Sequence, residues 1–60
     1  MLNDRSKVGL WISQCREKAD EHLSQADQAH TISVHDRNYE LYIAWREAEL
    51  SLRKLFNALS

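Results

Sequence analysis

Proline is absent from this chain of 60 residues; glycine occurs once, at Gly9, and cysteine once, at Cys15. Without proline nothing forces a break in a helix, and a single glycine leaves little backbone suited to tight turns. A lone cysteine cannot close an internal disulfide, which excludes the staple of small secreted scaffolds and favours a reducing cytoplasm. Long apolar runs are missing as well. The longest uncharged ones, Val8–Ile12 and Leu41–Trp45, are far too short to span a bilayer. Asn3, Asp4, Arg5 and Lys7 leave the first residues without an apolar signal core. The expectation is a soluble protein, not associated with membranes.

An excess of one charge is also lacking. Eight Lys or Arg stand against nine Asp or Glu, for a formal charge of -1. Residues 1–30 hold four basic and five acidic groups, and residues 31–60 hold four of each. Neither half supplies the basic field that a phosphate backbone attracts, so direct nucleic-acid binding is disfavoured.

What the chain does have is helical periodicity. From Ser33 to Ser60, Leu41, Trp45, Ala48, Leu52, Leu55 and Leu59 recur at steps of 4, 3, 4, 3 and 4. That spacing keeps one apolar edge on the same side of an α-helix and does not fit a strand. In the first half, Val8, Ile12, Cys15, Ala19, Leu23 and Ala26 form a thinner stripe, with Leu10 and Trp11 beside it. Its small residues suit close approach of two helices. Gly9 lies inside this helix, at a cost of about 1 kcal/mol relative to alanine. Asn3, Asp4 or Ser6 can cap the first helix. Between the stripes, residues 30–35 are the best turn, with Ser33 as a cap, Asp36 three residues on in a variant capping box, and Ile32 as a staple onto Arg37 or Tyr39. Later, Glu49 precedes Arg53 by one turn, the better orientation for an ion pair within a helix.

These marks predict an all-α protein: an antiparallel hairpin with helices over about 4–29 and 34–59, each arm ~36 Å long. Sixty residues bury only ~60% of their unfolded surface, and two arms enclose no interior. Two hairpins pairing into a four-helix bundle would cover both stripes, so a symmetric homodimer is expected. Its seam would comprise Ile12, Cys15, Ala19 and Leu23 from the first helix, and Leu41, Trp45, Ala48, Leu52, Leu55 and Leu59 from the second.

Candidate chemistry is sparse. His22, His30 and His35 lack the i, i+4 spacing that aims two imidazoles at one metal ion. Cys15 belongs to the apolar stripe, where a free thiol behaves as a small hydrophobe. Carboxylate neighbours such as Asp20 with Glu21, or Glu47 with Glu49, read as a solvated helix face. General acid–base work requires carboxylates converging in a cleft, and a straight hairpin has no deep one. The expectation is a non-enzyme without metal or cofactor. The aromatic residues are more informative. Those that the bundle does not cover would form an exposed apolar patch, and Trp and Tyr beside arginine have the composition of interface hot spots. Trp11, Arg37, Tyr39, Tyr42 and Arg46 are the candidate partner-binding residues.

The run Val34-His35-Asp36-Arg37-Asn38-Tyr39, followed by Trp45 and the leucine ladder to Leu59, resembles a family of small phage proteins. These are the quorum-sensing anti-activators carried by phages of pseudomonads. The likeness covers about Ile32 to Leu59, while the first helix matches only in pattern. It implies a helical hairpin that dimerises and inhibits a protein of the bacterial host, in the host's cytoplasm, by direct binding. Targets of the type are a LuxR-type transcriptional activator, held at its DNA-binding region, and the assembly ATPase of type IV pili. The alternative class is a structural or regulatory helical dimer that handles RNA, as plasmid copy-control hairpins do. That reading requires a basic stripe, whereas here the basic residues are interspersed with acids.

Overall fold

The computed structural model describes residues 4–59. The chain forms two α-helices, α1 over Asp4–Asp27 and α2 over Ile32–Ala58. They run antiparallel: Gly9 lies beside Phe56 near the open end, and His22 meets Asn38 near the turn. The Cα atoms extend 45 × 19 × 10 Å, so the hairpin is a single layer with two broad faces.

The connection lies about two residues earlier than the sequence suggests. It occupies residues 28–31, and α2 begins at Ile32 rather than near residue 34. Gln28 N–H still bonds Ser24 C=O at 3.1 Å, and Ala29 N–H tightens onto Ala26 C=O at 3.2 Å. Thr31, not Ser33, is the N-cap. Its backbone is extended (φ -128°, ψ 153°), and its hydroxyl accepts from Val34 N–H at 3.2 Å. The cap moves upstream because β-branching disfavours a helix by crowding the preceding turn. In a first turn there is no preceding turn, so Ile32 and Val34 enter at little cost. Ser33 and Asp36 then lie inside the helix, and the capping box does not form. Ile32 is exposed and makes no staple. Among the α1 cap candidates, Asn3 lies outside the described residues, and Asp4 sits in the first turn. An acid there complements the positive end of the helix dipole.

The buried residues of α1 are Val8, Cys15, Ala19 and Ala26. These are small, and no large side chain among the described residues is fully buried. The helices therefore touch along a narrow seam instead of enclosing a volume. Ile12 and Leu23 are half-buried at its margin. From α2 the seam takes Asn38, Tyr42, Trp45, Glu49, Leu52 and Phe56, at steps of 4, 3, 4, 3 and 4, of which only Glu49 is fully buried. The space beside Gly9 admits a Cβ. A Cβ there would stand 3.4 Å from the Phe56 ring, an ordinary contact with a side chain and not with another backbone.

Candidate interaction surfaces

Apolar residues of α2 fall on both sides of its seam, which gives the hairpin two different faces. On the first face Trp11, Gln14, Cys15 and Lys18 of α1 and Trp45 and Leu52 of α2 line an open groove of about 510 Å³. It continues toward the open end as a smaller hollow of about 230 Å³ between Val8, Trp11, Leu55 and Leu59. Trp11 is 49% exposed. Leu41 and Leu55 are exposed on the flank of this face. Trp45, Ala48, Leu52 and Leu59 are half-buried, and Cys15 and Ala19 are buried. The leucine ladder thus runs beside the intramolecular seam and shares only Trp45 and Leu52 with it.

The second face is built around Glu49. Its side chain is 3% exposed, and both carboxylate oxygens are taken. Arg53 Nε donates to Oε2 at 2.8 Å and Arg46 Nη1 donates to Oε1 at 3.3 Å. The Glu49–Arg53 pair is the one that the sequence spacing implies. The reading of Glu49 as a solvated acid is overturned: the carboxylate is buried in the interhelical seam. Charge there requires partners, and the two arginines supply them from about half-exposed positions. Nearby, Arg5 lies 4.2 Å above the Phe56 ring, a cation–π contact that ties the two helices together at the open end.

Closer to the turn, Asn38 Nδ2 donates to Val34 C=O at 3.0 Å, which turns its amide oxygen toward His22. His22 Nδ1–H therefore donates to Asn38 Oδ1 at 3.1 Å, a polar link across the seam. His35 Nδ1–H donates to Asp36 at 3.1 Å, and its ring stacks parallel to Tyr39 with centroids 6.1 Å apart. Tyr39 in turn packs on Tyr42 at 5.7 Å. Of the candidate partner residues, Trp11 belongs to the first face, while Tyr39 and Arg46 lie on the second. Tyr42 is half-buried between Tyr39 and the seam, and Arg37 is exposed on the flank of Leu41. The structure does not bring them into one cluster.

Sequence reasoning missed Asn38, Glu49 and Phe56 as seam residues. Their signal was the 4, 3 spacing through Tyr42 and Trp45, masked by polar residues at two of its positions. Among the described residues no group of three His, Cys, Asp or Glu side chains is placed to hold a metal ion, and no helix is long and apolar enough to cross a membrane. Comparison with protein-family models, curated proteins and solved structures finds no match to this chain.

Proposed function

We propose that this chain is a binding module that inhibits a bacterial host protein by covering its functional surface, as a homodimer and without a cofactor. The observation that carries the reading is the open groove between Trp11 and Trp45, continued by Leu55 and Leu59. Apolar surface of this kind, concentrated on one face of a small hairpin, serves an interface. A second copy is the first occupant. Antiparallel pairing of two α2 helices about residue 50 sets Leu41 against Leu59, Trp45 against Leu55 and Ala48 against Leu52, which places every rung of the ladder against an apolar partner. The signature from Val34 to Tyr39 directs the target assignment to a LuxR-type activator at its DNA-binding region, with the pilus assembly ATPase as a second target of the same type.

The test has two measurements. Sedimentation at micromolar concentration should give a dimer. The purified protein should also release operator DNA from a LuxR-type activator, read by fluorescence anisotropy of the labelled DNA. Retention of the DNA at saturating hairpin would refute the target, and a folded monomer would refute the scaffold.

A further inference from the structure

The near-neutral composition conceals an asymmetry that only the fold displays. Arg5, Gly9, Ile12 and Arg16 follow one another at steps of 4, 3 and 4, so they share a stripe of α1. Gly9 and Ile12 border Arg53 and Phe56 in one hollow, and Arg5 lies over Phe56. The stripe therefore faces the same way as Arg46 and Arg53. Every arginine but Arg37 lies on this second face. The acid they surround, Glu49, is buried and already bonded. Glu17, Asp20 and Glu21 border a different hollow on α1, and Arg16 makes no ion pair with Asp20 or any other described residue.

Aliphatic side chains stand along the same flank. Ile43 and Leu50 are 41% and 52% exposed, although neither contributes to the seam. They are seven residues apart, the repeat that receives the apolar edge of another helix.

From this juxtaposition we infer that the arginine-lined second face docks an acidic amphipathic helix of a partner protein. The apolar edge of that helix lies on Ile43 and Leu50, and its carboxylates meet the guanidinium forks of Arg16, Arg46 and Arg53. A nucleic acid fits less well. Exposed isoleucine and leucine gain nothing against phosphates, Arg46 and Arg53 each commit a donor to Glu49, and the formal charge of -1 gives no long-range attraction. This surface is separate from the Trp11 groove, and its use does not depend on the host target proposed above.

The test is an amide NMR titration of the whole chain with three probes. One is a synthetic helix carrying leucine at heptad spacing with glutamate on both flanks; the second has lysine in place of the glutamates; the third is a short RNA duplex. The acidic helix should shift amides of Ile43, Arg46, Leu50 and Arg53 and leave those around Trp11 unmoved, while the lysine helix shifts neither set. Arg16→Glu and Leu50→Ser change exposed residues outside the seam, and each should weaken binding about tenfold with the helical spectrum intact. Four results would overturn the inference: no shift up to about 1 mM peptide, shifts confined to the Trp11 face, tighter binding of the RNA duplex than of the acidic helix, or an oligomeric state altered by Arg16→Glu. The last would assign this face to a second copy.

Discussion

Glu49 provides the sharpest test of how the hairpin is held together, because removing the acid and removing its partners should have opposite consequences. At about 0.05–0.15 kcal/mol per residue, a chain of 60 residues has about 3–9 kcal/mol of stability to lose. Glu49→Met takes a carboxylate out of the seam and fills its volume with an apolar side chain. Arg46 and Arg53 are then released, but their side chains are 44% and 48% exposed, so water takes the place of the lost partner. The variant should remain within about 1 kcal/mol of the parent, on the stabilising side. Arg46→Gln with Arg53→Gln does the reverse and leaves a buried carboxylate with no cation. Breaking a buried pair from one side costs about 3–5 kcal/mol; the half-exposed arginines place this case near 3. Arg53→Gln alone, with Arg46 still at 3.3 Å, should lose about 1–2 kcal/mol. Urea unfolding followed by helical circular dichroism, at one protein concentration and with a common slope, measures all three. If Glu49→Met lost as much as the double arginine variant, the ion cluster would be contributing net stability, and the reasoning would fail.

Gly9→Ala should raise stability by up to about 1 kcal/mol through helix propensity, since the new Cβ meets only the Phe56 ring at 3.4 Å. A fall in melting temperature would show that the ring has no room to shift. Thr31→Ala should cost about 1 kcal/mol by removing the bond to Val34 N–H, with Thr31→Ser nearly neutral; equal losses in both would assign the effect to the Thr31 methyl. Ala19→Leu should destabilise by about 1–3 kcal/mol, because Ala19 is 0% exposed in the seam and has no room for a larger side chain. An unchanged urea midpoint would mean that the seam is loose. Leu52→Asp should dissociate the proposed dimer and unfold the chain in one transition; parent unfolding midpoints that do not vary with protein concentration would contradict that coupling.

Much of the backbone was legible before any coordinates. With no proline and two runs of 3–4 spacing, the chain has to form helices, and the polar interval after Ala26 has to separate them. The small stripe Val8, Cys15, Ala19 and Ala26 also pointed to close packing, and these are the α1 residues that the fold buries. The turn was read two residues late, because Ser33 and Asp36 imitate a cap while Thr31 supplies one. The candidate surface was less legible. Nothing in the charge balance shows that Arg5, Arg16, Arg46 and Arg53 come to one face, since the first two and the last two lie on different helices.

The sequence by itself determined that there are two helices, where each carries apolar residues, and that a lone hairpin has little to bury. Which side of α2 turns toward α1 was decided only by the tertiary structure. Two stripes overlap on that helix, one through Leu41, Ala48 and Leu55 and one through Tyr42, Glu49 and Phe56, and both use Trp45 and Leu52. Periodicity favours the more apolar stripe. The fold selects the other, because Phe56 fits beside Gly9, Asn38 bonds His22, and two arginines neutralise Glu49. Each of these depends on which particular residues meet, and hydropathy along a single chain does not encode it.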